Sequence, residues 1–326
     1  MIFKILSFLF RSNNLNLILV WYNKKMEKFI KKLEFDEAAI QLFEALEKEN
    51  SKIKNLLIES FEKTYNGLPV SPEIEEEIYN YFITHSVISA ATASNCGGSV
   101  VTEFLYNGLD SPSSIDNYFL QSKAGKAVKA RLIAIEKELP KIIEQYRNNG
   151  NVLICNLGSG PGRDIIDTLA THYQNASNIK VINIDKDEVA LKRGKRMAKN
   201  KGVEHLIDFV GVNFLKYKPN KKFDIILLIG VLCPLEIEVC IDFLKMIKNL
   251  LTKNGCLITS NASKKMFRED FFTYYIMLLI GNWKLVFKDE EEIKQIYKKA
   301  GYIFKKYFTD TYGFHIISTG TPFFET

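Results

Sequence analysis

The sequence lacks paired cysteines, metal-binding histidine patterns and long uninterrupted apolar runs. None of its five cysteines (Cys96, Cys155, Cys233, Cys240 and Cys256) forms a C-x-x-C pair, so we expect free thiols in a reducing, cytoplasmic compartment. The four histidines show no metal-ligand spacing, and we predict no metal site. Beyond residue 25 no run reaches the roughly 18 apolar residues that a membrane span needs, so no stable span is expected.

Arginine is scarce: seven residues of the 44 Lys plus Arg, in a chain of net charge +6. The planar guanidinium is favoured for phosphate and base recognition, so a charge carried mainly by lysine is weak support for nucleic-acid binding. The densest basic run, residues 192–196, falls on a predicted helix, where a solvated helix face is the ordinary interpretation. We therefore do not expect a nucleic-acid partner.

The chain has 326 residues, 47% of them apolar and 25% charged, which is typical of a soluble globular protein. Residues 1–25 form an apolar leader that Arg11 interrupts, so it fits a signal peptide poorly and is broken as a membrane span. Met26 is a plausible true start. We predict a helical domain over residues 26–148 and a second domain over residues 149–326.

The helical domain shows apolar positions at helical spacing and almost no strand signal. We predict helices over about 36–65, from Ser71 onward, and over about 115–147, with a mobile loop between 95 and 114. Strands and helices then alternate, which predicts an α/β fold with a mostly parallel, doubly wound sheet of seven strands, the last antiparallel. We place strands at 152–157, 179–184, 206–210, 223–229, 255–260, 302–309 and 314–319, and helices near 163–174, 187–200, 235–251, 268–281 and 289–300.

A glycine-rich turn follows the first predicted strand, and it is the most informative motif in the chain. Gly158, Gly160 and Gly162 alternate with other residues and lead directly into an amphipathic helix. Glycines there let the backbone approach a ligand and turn sharply into a helix N-terminus. The second predicted strand ends on Asp185, where a carboxylate is placed to bind a ribose diol.

These two features resemble the class I S-adenosylmethionine (SAM) dependent methyltransferases, whose Rossmann-like fold opens with the motif acid-x-G-x-G-x-G. The resemblance implies SAM as cofactor. This chain differs from the family motif at position 156, where Asn156 replaces the acidic residue and so lacks its ionic attraction to the methionine ammonium. It further implies that Lys186 lies beside the adenine and that Asn213 bonds the adenine amino group, unless Asn213 only caps a turn. The implied cofactor-binding residues are Asn156, Gly158, Ser159, Gly160, Gly162, Asp185, Lys186, Asn213, Phe214 and Gly230.

Methyl transfer from SAM is an in-line displacement with an excellent leaving group, so alignment supplies most of the acceleration. A carboxylate acceptor needs no general base, whereas a hydroxyl, phenol or amine does. The candidates for a base are His315, Tyr312 and His85, each of which also has an ordinary structural interpretation. Cys233, in an apolar stretch, is predicted to be inert. The apolar run 271–280 is interpreted as a buried helix, or alternatively as one wall of an acceptor pocket.

A second, weaker resemblance covers roughly residues 115–320. The sequences of three segments resemble those of a bacterial group of methyltransferases that makes hydroxy-fatty-acid methyl esters for signalling. The segments are residues 156–164, 121–131 and 281–293. We therefore expect methylation of a small molecule, with a fatty-acid-like carboxylate or hydroxyl as acceptor. RNA or protein methylation and a non-catalytic SAM-binding scaffold stay open as alternatives, and the helical domain is expected to cover the active site or form a homodimer interface.

Overall fold

The computed structural model describes residues 35–148 and 150–324, in which a layer of helices is followed by a seven-stranded sheet. The predictions made for residues 1–25 and for a start at Met26 lie outside the described residues. No helix in the described part of the chain is long and apolar enough to cross a membrane. All five cysteines are free thiols.

The sheet has the strand order β3-β2-β1-β4-β5-β7-β6, and β7 alone runs antiparallel to its neighbours. This confirms the predicted fold class, including the antiparallel final strand. The central strands are mostly apolar because helices cover both faces of the sheet; residues 225–228 of β4, for example, are completely buried. The strands are β1 Val152–Leu157, β2 Ile179–Asp185, β3 Ile207–Gly211, β4 Phe223–Leu228, β5 Leu251–Ala262, β6 Tyr302–Thr309 and β7 His315–Pro322.

The helices before the sheet are more numerous and shorter than predicted. The single helix expected over 36–65 is two, because the Asn50 side chain accepts the Ile53 N–H and starts a new helix. Ser122 divides the third predicted helix in the same way. The mobile loop predicted at 95–114 is wrong, since it contains a helix. Between residues 35 and 148 the structure describes seven helices: α1 Glu37–Glu49, α2 Ser51–Tyr65, α3 Pro72–His85, α4 Val87–Ser94, α5 Ser99–Asn107, α6 Ser114–Gln121 and α7 Lys123–Arg147.

The helices that accompany the sheet lie close to their predicted positions, except that the one expected over 268–281 is divided at Asp270. The Asp270 carboxylate accepts the Thr273 N–H and also the N–H of Ala124 at the start of α7. One buried acid therefore starts two helices. The helices are α8 Arg163–His172, α9 Glu188–Asn200, α10 Ile237–Lys248, α11 Lys264–Glu269, α12 Phe271–Gly281 and α13 Glu290–Lys299.

Helix α12 lies between β5 and β6 in the chain, yet it packs into the N-terminal helices. The ring of Phe272 lies 5.1 Å from that of Phe61, and the Tyr275 hydroxyl donates to Ser60 Oγ at 2.7 Å. A single apolar cluster thus contains buried residues from α1–α7 and from α11–α12. This packing places the helical layer directly over the carboxyl ends of the strands.

Candidate functional site

The glycine-rich turn has the left-handed backbone that its sequence predicts. Gly158, Gly160 and Gly162 have φ values of 64°, 53° and 77°, a region that other residues enter only with strain. Neighbouring atoms also exclude side chains: a Cβ on Gly158 would lie 2.8 Å from Val231 Cγ2, and one on Gly162 would clash with Asn183. The turn therefore requires glycine for both conformation and space, and it begins α8 without a side-chain cap.

Asp185 fixes this turn at the end of β2. Its Oδ2 accepts the Gly160 N–H at 2.7 Å, and its Oδ1 accepts the Asp187 N–H at 2.9 Å. Since a carboxylate has about four lone-pair sites, each oxygen keeps one for a further donor. Asp185 also lines the cavity above the turn, so it is in position to bind two neighbouring hydroxyls there.

The carboxylate that position 156 lacks is present nearby. Asn156 is buried at the end of β1, and its Nδ2 donates to Asp164 Oδ1 at 3.2 Å. Asp164 comes from the first turn of α8 and lines the same cavity. Burial raises the pKa of the Asp164 carboxyl, although the Ile165 N–H and Asn156 oppose the shift. No role for Asp164 was predicted from the sequence, because its proximity to Asn156 becomes visible only in the fold.

The remaining predicted cofactor residues divide into two groups. Ser159, Lys186 and Gly230 line the cavity together with the glycine turn. Asn213 and Phe214 are not among the cavity-lining residues: Asn213 Oδ1 accepts the Leu215 N–H at 3.0 Å and caps a short 3-10 turn, and the Phe214 ring packs on Phe243 with centroids 5.5 Å apart. The structure thus shows the turn-capping contact that was the alternative interpretation of Asn213.

The cavity has a volume of about 420 Å³ and lies between the strand ends and the helical layer. Helices α4, α5 and α7 form one wall, and α11 and α12 contribute Met266, Thr273 and Met277 to another. Most of α12 is buried, which agrees with the favoured interpretation of the run 271–280, but two of its side chains reach the cavity. Apolar residues from all these elements line it: Ile88, Val101, Leu105, Phe119, Val128, Leu132, Met266, Met277 and Leu285.

Arg131 and His315 are two buried polar side chains within this lining. Arg131, on α7, is 9% exposed, and its Nη2 donates to the Tyr106 hydroxyl at 3.4 Å. His315, at the start of β7, is 5% exposed, with Nδ1 3.1 Å from Asp310 Oδ2. Burial lowers the pKa of His315, Asp310 opposes the shift, and the charge on Arg131 adds to it. His315 is therefore neutral near pH 7, and the tautomer that donates from Nδ1 to Asp310 leaves Nε2 as an acceptor.

The other two candidate bases are elsewhere. His85 is exposed at the end of α3, where its ring stacks on Tyr81 with centroids 4.0 Å apart. Tyr312 lies in the β6–β7 turn beside Phe314 and is not a cavity-lining residue. Cys233 does line the cavity and is buried. Of the three sequence candidates, the fold brings only His315 to the cavity.

Arg163 ties the helical layer to the glycine turn. Directly after Gly162, it donates from Nη1 to Glu103 Oε2 at 3.2 Å and to Asn107 Oδ1 at 2.6 Å, both on α5. Its guanidinium also lies 5.4 Å from the centroid of the Tyr106 ring. Helix α5 is thereby held across the cavity, and a Cβ on Gly160 would lie only 3.5 Å from Ser99 Cβ.

Comparison with known proteins gives one matching protein family and several solved structures with the same fold. Residues 148–301 match the family model of a methyltransferase domain. The chain is similar to the crystal structure of a possible exported protein from Bordetella parapertussis, with TM-score 0.64 and 12% identity over 89% of this chain and 98% of that one. It is also similar to magnesium protoporphyrin IX methyltransferase from Synechocystis PCC 6803 with bound SAM, with TM-score 0.51 and 13% identity over 73% of this chain and 98% of that one. No curated protein matches the sequence. At such identities the solved structures establish the fold, and the family match gives the activity of the domain.

Proposed function

Because the chain is a class I SAM-dependent methyltransferase, we propose that it methylates a small molecule with an apolar body and a carboxylate or hydroxyl group. SAM supplies an activated methyl group on a sulfonium centre, and this chain needs to hold that centre and an acceptor in line. Residues 148–301 supply the donor-binding part. We propose that the helical segment 26–148 covers the site and completes the acceptor pocket.

The site has features that fit the methyl donor. Neighbouring atoms leave no room for a side chain at Gly158 or Gly162, and Asp185 keeps one acceptor site on each carboxylate oxygen. We propose that Asp185 binds the ribose hydroxyls and that Ser159, Gly160 and Gly230 line the remainder of the donor site. The Asn156–Asp164 pair would supply the negative charge for the methionine ammonium that Asn156 alone lacks. Lys186, which is exposed, is proposed to flank the adenine.

The single observation that carries the acceptor assignment is the composition of the cavity wall opposite the glycine turn. Apolar side chains from six helices surround one buried cation, Arg131, and one neutral histidine, His315. Such a wall suits an aliphatic chain that ends in an anionic or hydroxylated group, because the chain packs against apolar residues while the polar end finds partners. This is the chemistry expected of a hydroxy fatty acid.

The two possible acceptor groups make different demands on His315. A carboxylate is already a nucleophile at neutral pH, so His315 would only position it. A hydroxyl must lose its proton, and a neutral His315 held by Asp310 has the arrangement of a general base. Replacing His315 by Gln therefore leaves ester formation within about tenfold but lowers ether formation by roughly 100-fold or more, the usual contribution of a general base.

The test uses methyl-labelled SAM and three matched acceptors: a long-chain fatty acid, its 3-hydroxy form and the methyl ester of that 3-hydroxy acid. Labelled ester from the first two compounds identifies the carboxylate as acceptor, and labelled ether from the third identifies the hydroxyl. Total RNA and a protein extract are assayed alongside. Label confined to RNA or protein would refute the small-molecule proposal, and failure to transfer label to any acceptor, with SAM bound, would favour the scaffold alternative. The homodimer and the cytoplasmic location remain predictions.

A further inference from the structure

Arg131 is a buried cation that forms no direct ion pair in the described residues. Two other arginines serve for comparison, and both form ion pairs. Arg163, which also lines the cavity, pairs with Glu103 and Asp167, and Arg147, on the same helix as Arg131, pairs with Glu144. Arg131 is less exposed than either of them, yet within residues 35–148 and 150–324 no carboxylate lies within 4.0 Å of it. Its one hydrogen bond in that part of the chain is the 3.4 Å contact with the Tyr106 hydroxyl, and its buried Nε has no partner.

Such an arrangement is unfavourable unless something else completes it. A guanidinium stays protonated in proteins, so Arg131 cannot avoid the cost of burial by becoming neutral. Buried charges are otherwise paired and fully hydrogen-bonded, because removal from water is costly. An incompletely paired cation in the wall of a cavity therefore indicates that a ligand supplies the missing charge.

The position of Arg131 shows where that ligand group would lie. Arg131 is a cavity-lining residue, and its Nη1 is 3.6 Å from where a Cβ on Gly230 would be, directly after β4. Asp164 and His315 are close enough to interact with its charge. The guanidinium thus faces the part of the cavity between the glycine turn and the apolar wall, where donor and acceptor must meet.

We propose that Arg131 is the carboxylate receptor of the cavity and pairs with a carboxylate of the bound ligand. A carboxylate suits the planar donor fork, which can bond both of its oxygens. Two ligands could bring this group: SAM, through its methionine carboxylate, or the acceptor, through an acid group. A carboxylate supplied by the acceptor rests on the function proposed above, whereas a carboxylate supplied by SAM rests only on the identity of the cofactor.

The experiment compares the full-length chain with Arg131→Met, which has a similar shape without charge, and Arg131→Lys. The control is Lys129→Met, which removes one charge from an exposed position on the same helix. Isothermal titration measures binding of S-adenosylhomocysteine (SAH), of 5′-methylthioadenosine, which lacks the amino-acid end, and of a long-chain fatty acid. Thermal melts are recorded for each ligand-free variant.

Loss of a charge-assisted hydrogen-bonded pair predicts a rise in Kd of about 10- to 150-fold. If SAM is the source, this rise occurs for SAH but not for methylthioadenosine in Arg131→Met. If the acceptor is the source, SAH binding is unchanged and fatty-acid binding falls. In both cases ligand-free Arg131→Met melts at or above the wild-type temperature, because it no longer buries an unpaired charge, and Lys129→Met behaves as wild type.

Two results would overturn the proposal. Unchanged affinity for both SAH and the fatty acid in a folded Arg131→Met variant would show that no ligand carboxylate uses the guanidinium. A lower melting temperature of ligand-free Arg131→Met, with affinities lowered equally for all three ligands, would indicate a structural role instead. If wild-type chain binds SAH but no fatty acid, the acceptor proposal fails while the SAH comparison still tests Arg131.

Discussion

Asp185→Asn is the sharpest test of the donor site, because the structure specifies what the carboxylate does before any ligand binds. One oxygen accepts the Gly160 N–H and the other accepts the Asp187 N–H. The amide of Asn has a single acceptor oxygen, so one of these N–H groups loses its partner whichever way the side chain turns. An unsatisfied buried donor costs about 1–3 kcal/mol, and we expect the ligand-free variant to lose stability in that range.

Ligand binding should suffer a separate loss. If each carboxylate oxygen also accepts one ribose hydroxyl, Asn removes the charge from both bonds and deletes one of them. Hydrogen bonds to charged groups contribute about 1.5–3 kcal/mol, so the Kd for SAH should rise roughly 10- to 150-fold. Asp208→Asn is the matched control: Asp208 is exposed on the neighbouring strand, paired with Lys180, and should leave the Kd within about twofold.

The assay separates the ribose contact from damage to the turn by comparing SAH with its 2′-deoxy analogue in titration calorimetry. Wild-type chain should prefer SAH by about tenfold or more, since the analogue lacks one hydroxyl that the carboxylate binds. In Asp185→Asn this preference should fall towards unity. If the variant weakens both ligands equally and keeps the full preference, Asp185 only shapes the turn and the ribose assignment is wrong.

Three further outcomes follow from local geometry. Gly162→Ala should lower the free energy of unfolding by at least about 2 kcal/mol in urea titrations, because it combines a φ of 77° with a clash against buried Asn183; a loss below about 0.5 kcal/mol would contradict this. Burial raises the pKa of Asp270 to about 6 from its usual 3.8, so between these values the folded chain retains a proton that the unfolded chain releases. The free energy of unfolding therefore falls as the pH rises from about 4 to 6, by up to about 3 kcal/mol. Asp270→Asn does not titrate, so it should remove this pH-dependent part, while its single acceptor oxygen leaves the Thr273 or the Ala124 N–H without a partner at every pH. An identical pH profile would refute the assignment. Arg163→Met should free α5, seen as faster hydrogen exchange over residues 99–107, whereas unchanged protection would show that packing alone holds the helix.

The sheet was predictable in detail because its signals are local. Most strands contain an apolar run with a turn or glycine at the end, and the turn at Gly158–Gly162 could be recognised from spacing alone. The breaks among the N-terminal helices were not predictable in the same way. Asn50 and Ser122 are common polar residues within helical periodicity, and the sequence alone does not show that their side chains cap a new helix.

Site residues could be predicted from the sequence where a single segment forms that part of the site, but not where two segments distant in sequence come together. Gly158, Asp185 and Gly230 follow strands directly, and the order of a parallel sheet brings strand ends together. Asp164 and Arg131 gain their significance from surroundings distant in sequence: Asp164 from its contact with Asn156, and Arg131 from its unpartnered Nε and the lack of an ion pair in the described residues. Side-chain environment of this kind has no signature in a single sequence.

The position of α12 sets an order of events during synthesis. Phe271, Phe272 and Tyr275 fill the space between helices that were translated some two hundred residues earlier, including Phe61 on α2. Those early helices leave the ribosome with apolar faces that stay unsatisfied until residues 271–281 follow. The nascent chain must therefore remain open or be bound by chaperones for most of its translation. The helical layer over the cavity is completed by α12, one of the last segments to be synthesised.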